Sequence, residues 1–164
     1  GVEVSPKIMS QDAVSYLEER QMLIWLEETR DSETHAAVTE SEIGKSNSYL
    51  KETIDLFQET SRIFSDDLTP VQTFDTIKEA VTLGWGYKKR FTSELSPIVQ
   101  SVETVLSKFS DVGYKLCGAG GSGFLLILAE PDILAQIKNT LPGYSVLYPK
   151  ISLLGSSVQS PVWE

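Results

Sequence analysis

The sequence predicts an α+β fold, an antiparallel sheet with helices packed on one face, formed by a single domain over residues 1–164. Extended apolar segments at Gln21–Leu26 and Phe124–Ala129 stand far apart in the chain, and amphipathic helical stretches fill the interval. Grouped helices between non-adjacent strands give segregated layers, whereas strict alternation of strand and helix would give a parallel doubly wound sheet. At 164 residues the chain is long enough to bury one hydrophobic core.

The elements follow in order. Val2 to Ile8 leans towards β structure but is interrupted by Pro6, which suits an edge strand or an entering segment. Ser10 is placed to cap a short helix over Gln11 to Glu19, with Val14 and Leu17 on one side. Gln21–Leu26 is short and sharply bordered by charged residues, which favours a strand over a buried helix. Helical sequence then opens at Asp31 or Ser32 and continues, with a break at Gly44, to about Phe64. Leu50, Ile54, Phe57 and Phe64 form its apolar stripe.

Thr69-Pro70 and Ser96-Pro97 each read as a cap followed by proline at the first helical position. Val71, Phe74, Ile77, Val81 and Trp85 line one face of the first of these helices. Ile98, Val102, Val105, Leu106 and Phe109 line the second. After Val112-Gly113 the character switches to extended at Tyr114–Cys117, and Phe124–Ala129 reads as a central strand buried on both faces. Pro131-Asp132 opens another helix, which Pro142-Gly143 stops; Ser145 to Tyr148 forms a further strand, and Ile151–Leu154 and Ser157–Gln159 are expected to extend the sheet.

Composition excludes several function classes. Hydrophobic residues make up 41% and charged residues 23%, ordinary values for a globular chain. The net charge of −9 argues against nucleic acid, since neutralising phosphates needs a basic face, and Lys88-Lys89-Arg90 is too short to supply one. No apolar run approaches the roughly 18 residues of a membrane span. The single cysteine, Cys117, leaves no internal disulfide and suits a reducing, cytoplasmic compartment. The first residue is Gly rather than Met, which suits a processed end or a piece of a longer chain.

Between Tyr114–Cys117 and Phe124–Ala129 lies Gly118-Ala119-Gly120-Gly121-Ser122-Gly123. Its glycines match G-x-G-x-x-G, but a dinucleotide fingerprint runs into a helix, and this loop runs into strand-like Phe124–Leu128. A Walker-type loop needs Gly-Lys-Ser/Thr at its end, which Gly123-Phe124 does not provide. A tight hairpin remains open, yet four glycines in six positions exceed what a turn requires. Each costs roughly 0.5–1 kcal/mol of backbone entropy relative to alanine, so close approach of a ligand or another backbone is favoured.

Lys115-Leu116-Cys117-Gly118-Ala119-Gly120-Gly121-Ser122-Gly123-Phe124 resembles the third motif of the GHMP kinases, the superfamily of galactokinase, homoserine kinase, mevalonate kinase and phosphomevalonate kinase. It departs from that motif at Ser122, where glycine is usual. Trp85-Gly86-Tyr87-Lys88-Lys89 resembles the W-x-x-K-K helix of heptose-phosphate kinases and fucokinases. Leu95-Ser96, Leu17-Glu18-Glu19-Arg20, Thr29-Arg30-Asp31-Ser32 and Val146 to Ser156 look like flanking segments of the same C-terminal domain.

The resemblance implies a ferredoxin-like C-terminal domain of an ATP-dependent sugar or sugar-phosphate kinase. Backbone amides of Gly118, Ala119, Gly120, Gly121, Ser122 and Gly123 would then line the cleft near the transferred phosphoryl group. Lys115, Lys88 and Arg30 are the candidate substrate or phosphate contacts. A solvent-facing strand lysine is an equally ordinary reading of Lys115, and a solvated helix face the more ordinary one for Lys88 and Lys89. No catalytic residue or metal ligand is assigned: His35 has no partner constellation, Cys117 reads as a small filler, and Trp25, Trp85 and Tyr87 read as core. The family's G-L-G-S-S-A phosphate loop and N-terminal domain have no counterpart in these residues. ATP and Mg²⁺ are therefore expected for a complete enzyme that adds that domain, and no activity for the chain alone. The alternative is a non-catalytic kinase-like module that binds a partner or forms a homodimer through an apolar face.

Overall fold

In a computed structural model the chain is described for residues 9–26, 47–63, 68–90, 95–118 and 123–152. Helix α1 (Gln11–Glu18) starts at Ser10, whose hydroxyl accepts a hydrogen bond from the Ala13 amide at 3.1 Å. Strand β1 (Gln21–Trp25) follows at once, and α2 (Asn47–Ile63) is the next described element. Helix α3 (Pro70–Lys89) opens on a reciprocal cap: the Gln72 amide donates to the Thr69 hydroxyl, and the Thr69 amide donates to the Gln72 side chain. Helix α4 (Pro97–Leu106) opens on Ser96 in the same cap-then-proline order. Beyond it lie β2 (Gly113–Leu116), β3 (Phe124–Leu128), α5 (Pro131–Thr140) and β4 (Ser145–Leu147).

The strands form one sheet in the order β2-β3-β1-β4, every neighbouring pair antiparallel. With helices inserted between β1 and β2 and between β3 and β4, this is the ferredoxin-like plait. Register sorts the side chains. Met22 faces Ile127 and Ile24 faces Leu125, so these four point to one side, while Leu23 opposite Leu126 and Trp25 opposite Phe124 point to the other.

On the first side Met22, Ile24, Leu116, Leu125 and Ile127 pack with Val99, Val102 and Leu106 of α4 and with Leu134, Ile137 and Leu141 at α5. This is the helical layer the sequence predicts. On the other side Leu128 packs with Leu17 of α1 and Phe74 of α3, with Leu126, Ile77 and Val81 around them. Cover on both sides follows from the unbroken apolar run of β3, which leaves neither face fit for water.

Helix α3 lies unusually close to β2. A β-carbon at Gly113 would stand 2.7 Å from Lys78 Cγ and 3.0 Å from the Lys78 carbonyl oxygen, so the bare backbone is what admits the helix. Arg20 lies over the Tyr16 ring and donates through Nε to both Glu130 oxygens, at 3.1 and 3.0 Å, tying α1 to the start of α5.

Some expectations meet a different outcome. The α2 stripe is not uniformly inward: Phe57 is 72% and Ile54 53% exposed. Ile151 and Ser152 carry no strand. Instead the Ile151 amide donates to Glu18. The segment Val2–Ile8, the helical start at Asp31 or Ser32, the break at Gly44, His35 and residues 153–164 lie outside the described residues.

Candidate functional site

The glycine loop joins β2 to β3, and its two ends are held by the sheet. The Cys117 amide donates to the Phe124 carbonyl at 2.8 Å, extending the β2–β3 ladder by one bond. The Leu26 amide donates to the Gly123 carbonyl at 3.0 Å, so β1 supports the exit of the loop. Gly118 has φ +80° and Gly123 φ +116°. Side-chain-bearing residues adopt such backbone only at a cost of about 1–2 kcal/mol. A β-carbon at either position would meet nothing within 4 Å, so chain direction, not crowding, demands glycine at these two ends. Ala119, Gly120, Gly121 and Ser122 lie outside the described residues, as does Arg30.

Lys88 and Lys115 are brought to the loop from different elements. Lys88, in the last turn of α3, donates from Nζ to the Gly118 carbonyl at 2.7 Å. Burial, and then the nearby Lys115 ammonium, hold the Lys88 pKa below the usual lysine range, with Cys117 opposing. Lys115 alternates onto the face of the sheet that carries Leu126, its register partner. Both lysines line one groove of about 410 Å³ between α2 and α3, together with Thr53, Thr60, Ile77, Ala80, Val81, Gly84 and Trp85.

A solvated helix face does not describe these lysines. Lys88 is half-buried at the loop entry. Lys89, one residue on and so about 100° around the helix, turns to α4 and pairs with Glu103 at 2.8 Å. The same Glu103 oxygen accepts from Trp85 Nε1 at 2.8 Å. Burial, and then Glu103, push the Tyr114 phenol up to about 12. Nothing in the sequence marks Glu103 as this junction, because its partners come from α3 and β2, and only tertiary packing joins them.

Among the described residues, no three His, Cys, Asp or Glu side chains gather as a metal site would require, and no helix is long and apolar enough to cross a membrane. Cys117 is half-buried beside the loop.

No family model matches the sequence, and no curated protein does. The crystal structure of a mevalonate kinase does match in three dimensions, with a TM-score of 0.59 and 18% sequence identity. The match covers 85% of this chain and 42% of that one, so the chain spans less than half the length of that kinase. The chain therefore shares, over most of its length, the fold of part of a mevalonate kinase.

Proposed function

We propose that the chain is the C-terminal part of a GHMP-type small-molecule kinase that transfers a phosphoryl group from ATP to a hydroxyl of a sugar or sugar phosphate. One observation carries the reading. A loop whose sequence resembles the GHMP glycine motif connects β2 to β3, in a plait shared with mevalonate kinase, and a lysine from α3 is seated on the Gly118 carbonyl.

Phosphoryl transfer needs little covalent help from protein and much positioning of charge, which backbone amides supply without reorganising. In this proposal the loop 118–123 forms one wall of the site. Lys88 fixes the direction in which the chain enters that wall. Arg30 and Lys115 stand as further phosphate contacts. An N-terminal domain, in the same chain or another, brings the loop that holds ATP with its Mg²⁺, and the lone Cys117 suits a cytoplasmic setting.

The test is ADP release by a protein that includes the N-terminal domain, screened against fucose, heptose phosphate, galactose and mevalonate. One acceptor is expected to give turnover well above the ATP-only background. The 164 residues alone are expected to give none, and turnover by them would overturn this division of labour. The exposed Ile54 and Phe57, one turn apart on α2, favour a second reading, a kinase-like module that associates through this face. Sedimentation that shows self-association, lost in Phe57→Lys, with no acceptor found, would select it.

A further inference from the structure

We propose that Glu103 of α4 is a positioning residue for the glycine loop, its one carboxylate holding both chain segments that meet at Gly118. Its consequence for phosphoryl transfer rests on the kinase reading; its hold on the loop entry does not.

The first segment is the last turn of α3. The final carbonyls of a helix lack intrahelical donors, so this turn frays most readily unless side chains hold it. Here they do. Glu103 Oε1 accepts from Trp85 Nε1 and from Lys89 Nζ, each at 2.8 Å. These two residues stand four apart and so share a face of α3. Two bonds from that face to a single oxygen fix the rotation of the turn about the helix axis. The Lys89 ammonium also stands 5.7 Å from the centre of the Trp85 ring and 5.8 Å from that of Tyr114, within reach of both faces. Lys88, about 100° further around the helix, is thereby aimed at the Gly118 carbonyl, which it meets at 2.7 Å.

The second segment is β2. The Tyr114 phenol hydrogen-bonds the same carboxylate. Beyond Tyr114 the strand runs through Leu116 and Cys117 to Gly118, whose φ of +80° turns the chain out of the sheet. A closed path results: Glu103 reaches Gly118 along β2 through Tyr114, and again across α3 through Lys89 and Lys88. The residue type fits this task. The Glu103 side chain is only 15% exposed, and an apolar residue there would fill the same space. It would leave the indole N–H, the ammonium and the phenol without this acceptor, so packing alone gives no reason for a carboxylate.

The ¹³C chemical shift of the Gly118 carbonyl, measured by NMR on the 164-residue chain, tests this directly. Lys88→Met supplies the shift of a carbonyl that has lost the ammonium. Glu103→Ala is expected to move the parent shift most of the way to that value. Glu103→Gln, which keeps one acceptor oxygen, is expected to return it most of the way to the parent. Ile137→Ala, in the buried core at α5, is expected to lower stability without moving it. If Glu103→Ala does not fold, Lys89→Met cuts the same link at a one-third exposed lysine and is expected to shift the carbonyl in the same direction. In a protein that includes the N-terminal domain, Glu103→Ala is expected to lower kcat about ten-fold and leave the KM for ATP within about two-fold. An unmoved Gly118 carbonyl in folded Glu103→Ala or Lys89→Met, equal movement in Ile137→Ala, or an unchanged kcat where the parent turns over would overturn the proposal. A parent that turns over no acceptor overturns the kinase reading instead, and the carbonyl shift still decides for Glu103.

Discussion

Single residues decide how the glycine loop is held. Gly118 and Gly123 occupy backbone that disfavours any β-carbon, while Gly143 does not and has open space around it. Gly123→Ala is thus expected to cost about 1–2 kcal/mol in urea denaturation, and Gly143→Ala to change stability little. Tyr114 provides a second test. Its phenol is pushed up to about 12 by burial first and Glu103 second, against an ordinary value near 10. A raised folded value means the folded state holds the proton longer than the unfolded chain. The stabilisation is therefore complete below about pH 10 and is lost as pH rises towards 12. Phenolate absorbance should place the Tyr114 midpoint near 12 in the folded protein, and Glu103→Gln should lower it.

At the scale of elements, α3 packs tightly on β2 at Gly113. The helix carries Trp85, Lys88 and Lys89, so its position sets both the groove and the lysine at the loop entry. Gly113 lets it sit there, since an added β-carbon would fall 3.0 Å from the Lys78 carbonyl, a backbone atom with little freedom to yield. Gly113→Ala is expected to lower stability by about 1–3 kcal/mol through overpacking, measured by urea denaturation. It should also raise exchange of the Cys117 amide, which donates to the Phe124 carbonyl at the loop entry that Lys88 anchors. A stable variant with unchanged exchange would show that α3 is not held in this way. The cap-then-proline starts of α3 and α4 were legible beforehand because caps are local chemistry. The exposed Phe57 on α2 was not, since an apolar stripe shows amphipathicity but not what covers it.

For the whole molecule, stability rests on the layer in which Ile127, fully buried, meets Met22 across the sheet and the helices α4 and α5 above it. Ile127→Ala is expected to cost about 2–5 kcal/mol, a large share of a domain's total, and to broaden or abolish cooperative thermal unfolding. The shared fold with mevalonate kinase is a property at this scale, and at 18% identity it speaks for the plait and not for a substrate.

The sequence by itself determined the α+β class, the strands at Gln21–Trp25 and Phe124–Leu128, the helix starts and the glycine loop between two strands. Each of these depends on local periodicity, caps or backbone preference, which a linear reading contains. Tertiary structure decided that Lys88 bends to Gly118 while Lys89 turns to Glu103, and that Lys88 and Lys115 share one groove. Those outcomes depend on which residues meet across 14 to 30 positions of chain, as in the Lys89–Glu103 and Lys88–Gly118 contacts, and no local preference encodes them.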